Sequence, residues 1–257
     1  MSTKKKLILS NGTTIAYRAT EGKTPGVIFL GGFMSNMNGQ KALAIEKYCK
    51  SKGHAFVRFD YRGHGDSSED IKSFTIGTGI TDALSVLDTL TRGPQILIGS
   101  SMGGWIMMQM AMLRPLRIFG LIGIAAAPDF TERLIWGKLS EEEKTNFQKL
   151  GILKLPSKYY DTSQIITFNL IKDGRNHLIL DQPITINKPI RLLHGMQDLD
   201  VPWQYSIDIQ KLSVFNDVLV ILVKDGDHRL SRQADLKRLF IEIDLLCKKD
   251  NGPIVRY

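Results

Sequence analysis

Short apolar runs alternate with longer segments of helical period along most of the chain. Residues 26–30 (GVIFL), 55–59 (AFVRF), 95–98 (QILI), 121–125 (LIGIA), 190–194 (IRLLH) and 218–223 (VLVILV) read as buried strands. Between and after them, 41–52, 81–90, 102–113, 203–212 and 231–246 read as helices. In the first of these, Leu43, Ala44, Ile45 and Tyr48 make the apolar face and Gly53 is the stop signal. Regular strand–helix alternation predicts an α/β fold with a mostly parallel sheet and helices on both faces. Residues 7–9 and 15–17 flank Asn11-Gly12, which predicts an antiparallel hairpin ahead of the alternation. Between 129 and 188 the pattern lapses. Ser140-Glu141-Glu142-Glu143 there is a capping box that starts a helix. Residues 163–173 are apolar on too many sides for period to separate helix from strand, and Ser163 as cap with Gly174 as stop favours helix. The stretch 129–188, set between two core strands, is expected to be a lid inserted in a single domain spanning 1–257.

Composition narrows the class. A chain of 257 residues with 43% apolar and 23% charged residues suits one large globular domain. The net charge is +8, from 34 basic and 26 acidic residues, but the lysines are scattered and only Lys4-Lys5-Lys6 form a run. No array of basic and aromatic side chains suggests a nucleic-acid partner, so the charge reads as a solvated surface. No apolar stretch approaches the roughly 18–20 residues of a membrane span. The basic N-terminus is too short in apolar residues for a secretory signal, so a cytoplasmic protein is expected. Cys49 and Cys247 lack metal-type spacing and read as reduced packing residues.

Candidate chemistry centres on Gly99-Ser100-Ser101-Met102-Gly103. A strand-like run precedes it and a helix-like run follows, which is the setting of a nucleophile elbow with Ser101 at its tip. Ser100 is the weaker nucleophile, because its own +2 neighbour is Met102, too bulky for the turn. A serine hydroxyl needs a base, and the base needs a carboxylate to orient it. The loop after 190–194 supplies Asp198, and the loop after 218–223 supplies His228, in the order serine–acid–histidine. Asp200 is the fallback acid. Asp225 and Asp227 read as loop residues, and His194, His54 and His177 as structural. The oxyanion donors are expected to be the N–H groups of Met102 and Phe33, with Gly32 or Met34 as alternatives to Phe33. Met34, Met37, Trp105, Phe130 and Trp136 are candidates for an apolar acyl pocket, each equally able to serve the core. Within residues 60–67, Gly63 and Gly65 make only half of a dinucleotide fingerprint, and His64 precedes the nucleophile; the stretch reads as a scaffold loop. With no phosphate-binding loop, H-E-x-x-H or cysteine–histidine cluster, neither cofactor nor metal is implied.

These residues resemble the α/β-hydrolase superfamily from the oxyanion loop to the last histidine. The stretches FLGGFMS (29–35), GSSMGGW (99–105), RLLHGM (191–196), Val201-Pro202-Trp203 and Asp227-His228-Arg229 are similar to a narrower group. That group holds a mitochondrial acyl-glucuronide esterase and palmitoyl-protein thioesterase with its bacterial relatives. The resemblance implies the α/β-hydrolase fold, the triad Ser101, Asp198 and His228, and release of small acyl groups from esters or thioesters, with a small-molecule acyl ester or thioester or an acylated protein as substrate. The long targeting segment of the mitochondrial member is missing here, which favours a bacterial cytoplasmic relative or a processed form. The similarity is patchier across the lid, where Pro156-Ser157-Lys158-Tyr159 is its clearest part. An acyltransferase or amide hydrolase with the same triad, and a non-catalytic ligand-binding protein of this fold, are the alternatives.

Overall fold

Asn11 and Gly12 turn the chain as expected. Gly12 takes a φ of 82°, and the strands on either side, β1 (Lys5–Ile8) and β2 (Thr14–Thr20), pair antiparallel. The structure, a computed structural model, describes residues 2–155 and 164–248. Ser163 and the family-like Pro156-Ser157-Lys158-Tyr159 lie outside the described residues.

After the hairpin come β3 (Lys23–Leu30), α1 (Gln40–Lys52), β4 (His54–Phe59), α2 (Ile76–Leu90), β5 (Gln95–Ser100), α3 (Met102–Leu113) and β6 (Ile118–Ile124). The irregular stretch holds α4 (Glu141–Leu150), β7 (Ile152–Leu155), β8 (Gln164–Thr167) and α5 (Phe168–Gly174). The alternation then resumes with β9 (Ile190–Gly195), α6 (Gln204–Leu212), β10 (Val218–Val223) and α7 (Gln233–Lys248). Eight strands form one sheet in the order β1-β2-β4-β3-β5-β6-β9-β10. Its pairs from β4 to β10 are parallel. Alternate strand residues pack to opposite faces, as a period of two requires. Val27, Phe29, Ile96, Ile98 and Ile122 meet Ala42, Ile45 and Cys49 of α1 and Leu239, Ile243 and Leu246 of α7. Ile28, Leu30, Leu97 and Leu121 face the other way, toward α2, α3 and α6. This is the α/β-hydrolase fold.

Three expectations are corrected. The buried face of α1 is Ala42, Ile45, Glu46 and Cys49; Tyr48 packs at its margin on Phe240, while Leu43 and Ala44 are only half-buried. A charge at Glu46 is tolerated inside because buried Arg58 grips it at 2.8 and 3.0 Å. Helix α2 begins at Ile76, ahead of the expected 81, because the Thr75 side chain accepts the Thr78 N–H and caps it. Residues 164–167 are a strand, and the helix starts only at Phe168, where Thr167 supplies the cap. Antiparallel pairing of β7 with β8 decides that segment, where period could not. The capping box at Ser140 is present in both directions, Ser140 Oγ to the Glu143 N–H and Glu143 to the Ser140 N–H.

Candidate active site

Ser101 stands between β5 and α3 with φ 54° and ψ −119°, a strained conformation for a residue bearing a side chain. Its surroundings enforce it. A Cβ at Gly103 would collide with the carbonyls of Leu30 and Gly31, and one at Gly99 with the backbone of Gly103. The Ser101 N–H donates to the Ile124 carbonyl (3.0 Å), and its own carbonyl accepts the N–H groups of Gly104 (2.8 Å) and Ala127 (3.1 Å). The elbow is therefore pinned on both sides. Met102 is the first residue of α3, so its N–H is one of the helix's unpaired starting donors. Its side chain is core.

The loop after β3 passes close to the serine, and a Cβ at Gly32 would lie 3.4 Å from the Ser101 Cβ. Met34 takes a φ of 58°, and the Ser35 side chain folds back to the Gly32 carbonyl at 2.7 Å. Buried side chains from β4 and the turn after it hold the next part of this loop. Arg58 donates to the Met37 carbonyl (2.7 Å), and Asp60 accepts the Met37 N–H (2.5 Å). Asp60 also accepts the Asp66 N–H, and Gly65 sits where any Cβ would strike the Asp60 carboxylate. These contacts fit the scaffold-loop reading of 60–67. His64 is buried among Phe33, Phe74 and Tyr61, and burial pulls its pKa down to about 4.

Asp198 lies past the end of β9 with its carboxylate fully buried. His228 Nδ1 is 2.7 Å from Asp198 Oδ2, so these two predicted partners meet. The other oxygen, Oδ1, accepts the N–H groups of Asp200 (2.8 Å) and Val201 (2.9 Å). Burial raises the Asp198 pKa, but hydrogen bonds from His194 and His228, the charge of His228 and the Val201 N–H outweigh it. The carboxyl is held well below its ordinary range. Asp198, Asp200 and His228 can each bring one ligand atom within 4.8 Å of the others, a set on which a cation could rest. Both Asp198 oxygens are already committed to protein donors.

Ser101 and His228 line one cavity of about 710 Å³, together with Gly32 and Phe33. Phe130, Leu134, Ile135, Leu155 and Ile166, all from 129–188, give one side of it an apolar lining. Asn36, Gln40, Lys41 and Arg229 give the other side polar groups. Of the five apolar candidates, only Phe130 lines this cavity. Met37 and Trp105 are core, Met34 borders a separate small cleft beside His64, and Trp136 packs with Phe147 and Phe168. Trp105 lies inside because α3 is covered by 129–188, and its Nε1 donates to the His177 carbonyl at 2.9 Å.

The remaining polar candidates take structural partners. His54 Nδ1 bonds the Pro25 carbonyl (3.0 Å), Asp227 caps the Leu230 N–H (2.9 Å) and Asp225 pairs with Arg232 (2.6 Å). His177 stands 3.7 Å from Asp173. Sequence reasoning missed Lys41, whose Nζ donates to the Arg229 carbonyl at 2.6 Å beside His228. Burial pulls its pKa down to about 8 against the pull of Asp227. A lysine on the first turn of a helix gives no sign of this in the sequence. Cys49 and Cys247 are free thiols, and burial pushes Cys49 up to about 12.

A family model for the alpha/beta hydrolase fold matches residues 25–163. The mitochondrial palmitoyl-protein thioesterases ABHD10 of Bos taurus and Homo sapiens are each 44% identical over 236 residues, 91% of this chain and 77% of theirs. The solved mouse alpha/beta hydrolase domain-containing protein 10 gives a TM-score of 0.91 at 43% identity, over 97% of this chain and 100% of that one. A structure from Agrobacterium vitis S4 gives 0.90 at 34% identity, over 96% and 98%. The mitochondrial naming of the curated relatives overturns the expectation of a cytoplasmic protein. The lack of a secretory apolar segment bears on export alone and does not separate cytosol from mitochondrion. Among the described residues no helix is long and apolar enough to cross a membrane.

Proposed function

The chain belongs to the α/β-hydrolase family and is a serine hydrolase of esters or thioesters; from that premise we propose that Ser101, His228 and Asp198 carry the reaction on a long-chain acyl substrate, as on a palmitoylated protein. The observation that supports this best is the strained Ser101 opening into the same cavity as an imidazole bound at 2.7 Å to a buried carboxylate.

In this reading Ser101 Oγ attacks the acyl carbon while His228 Nε2 takes the hydroxyl proton. Asp198 accepts the Nδ1–H of His228, which keeps Nε2 free as base and stabilises the imidazolium that forms. The N–H groups of Met102 and Phe33 receive the oxyanion of the tetrahedral intermediate. Collapse breaks the bond to the leaving thiol or alcohol, which takes its proton from His228. Water then attacks the acyl-enzyme with His228 again as base, which releases the acid and restores Ser101. The apolar side of the cavity, formed by 129–188, takes the acyl chain, so that segment acts as a lid within a single domain.

A fluorophosphonate probe labels Ser101 of the folded protein, and S-palmitoyl peptide releases free thiol. Ser101→Ala abolishes labelling and lowers kcat by roughly 10⁴-fold or more. Folded wild-type protein that neither reacts with the probe nor cleaves acyl thioesters or esters would overturn the proposal.

A further inference from the structure

His194, expected to be structural, touches the proposed catalytic acid. Its ring is fully buried at the end of β9. Nε2 lies 3.2 Å from Asp198 Oδ2 and 3.0 Å from the Val201 carbonyl, and Nδ1 lies 2.8 Å from Ser206 Oγ on α6. A carboxylate and a carbonyl can only accept, so Nε2 carries a proton in either charge state of the ring. Oδ2 therefore takes two imidazole N–H donors, from His194 and from His228. Val201 closes the arrangement, with its N–H on Asp198 Oδ1 and its carbonyl on His194. His194 of β9, backed by Ser206 of α6, and the backbone of the acid loop thus hold Asp198 from the side opposite His228.

We infer that His194 is a positioning residue that acts on His228 through Asp198. The inference rests on the triad reading above. His194 fixes the plane of the carboxylate, so that Oδ2 meets His228 Nδ1 squarely. It also takes up part of the charge on Oδ2 that would otherwise bear on His228 alone. Without the His194 donor the whole charge of Oδ2 bears on His228 Nδ1–H and tightens the hold on the imidazolium proton. Ser206, buried behind the ring, keeps His194 from turning its Nε2–H away. The other charged groups around this pair are Asp200 on the acid loop, Asp227 and Arg229 beside His228, and Lys41 from α1. They are untouched by changes at His194, so the acid limb of the pH profile reports the donor itself.

The test is the pH dependence of kcat/KM for a short acyl thioester in wild type, His194→Leu and His194→Gln. Leucine removes the donor from a site of similar volume. The acid limb then moves up by about one pH unit, with plateau kcat lowered roughly tenfold. Glutamine carries an amide N–H to the same oxygen and restores the wild-type limb. A limb that stays put in His194→Leu, or that moves equally in both variants, overturns the inference. If His194→Leu does not fold, ¹⁵N NMR of histidine-labelled wild type decides. A proton resident on His194 Nε2 throughout the titration of His228 is expected, and an Nδ1–H tautomer at any pH overturns it. Fluorophosphonate labelling separates the two levels: unlabelled wild type sinks the triad reading, whereas labelled protein with an unmoved limb sinks only the role of His194.

Discussion

Ser101, Glu46 and Arg58 each hold a conformation or charge that the chain would not adopt alone. A positive φ at a serine costs on the order of 1–3 kcal/mol and persists only where neighbours over-determine it. At Ser101 they do, through the closed space at Gly99 and Gly103 and the bonds to Ile124, Gly104 and Ala127. Glu46 is legible in the sequence only as an exposed helix residue, yet it lies inside. Burial alone would raise its pKa, but Ser2, Arg58 and Lys50 outweigh burial and hold it at about 2 in place of 4.5. A depressed carboxyl stabilises the fold fully above the unfolded value and loses that contribution as pH falls through the folded one. Glu46→Gln accordingly lowers stability at pH 7 by about 3 kcal/mol, because it leaves Arg58 buried without a charge partner. The deficit relative to wild type closes between pH 4.5 and about 2, as denaturant titrations across that range will measure. A pH-independent deficit would mean that packing, not charge, holds α1 to β4.

The stretch outside the alternation is held by its own carboxylates and by side chains of the helix it covers. Asp129, at φ 58°, accepts the N–H groups of Ile179 (2.9 Å) and Leu180 (2.8 Å), which ties the two ends of 129–188 together. Burial raises the pKa of this carboxyl against those two donors. Asp173 accepts the Gly77 N–H at the start of α2 (2.7 Å), and the His177 carbonyl takes Trp105 Nε1 (2.9 Å) and Gln109 Nε2 (2.6 Å) of α3. This segment is thus docked on both helices that flank the elbow strand. Asp129→Ala strands two buried N–H donors, at about 2–4 kcal/mol in all. Trypsin then cuts within 129–188 at least tenfold faster than in wild type, while Asp129→Asn, which keeps one acceptor and tolerates positive φ, falls between. Equal cleavage of all three proteins would show that the ends of the segment are held by other contacts. The capping box of α4 was legible from four letters because a cap is local. Strand β8 was not, because its partner β7 lies across the stretch and supplies no signal in its own period.

At the scale of the whole molecule, the sheet and the segment 129–188 supply different parts of the cavity. The carboxyl ends of β3, β5, β9 and β10 converge on one edge and bring up the loops that carry Phe33, Ser101, Asp198 and His228, as open parallel sheets do. Segment 129–188 contributes Phe130, Leu134, Ile135, Leu155 and Ile166 to the same cavity. If these residues receive the acyl chain, each added methylene gains up to about 0.8 kcal/mol until the apolar side is filled. Wild type therefore prefers acyl chains of about 12–16 carbons over acetyl. Leu134→Asn raises KM for the long chain roughly tenfold and leaves KM for acetyl esters within about twofold, as a graded series of thioesters will show. An equal rise for every chain length would place Leu134 away from the acyl path.

The sequence by itself determined the sheet, its helices on both faces and the chain order of Ser101, Asp198 and His228 past the ends of its strands. Strand period, the small residues of the elbow and the loops after β9 and β10 are local patterns, set by sterics within a few residues. Tertiary structure alone decided what surrounds those groups. It placed Glu46 inside, set Lys41 beside the His228 loop, put His194 on the acid and left only Phe130 of five apolar candidates in the cavity. Each of these depends on a partner far away in the chain or on a loop closing back upon itself. Burial and hydrogen bonding across such distances leave no periodic mark on the residues that share them.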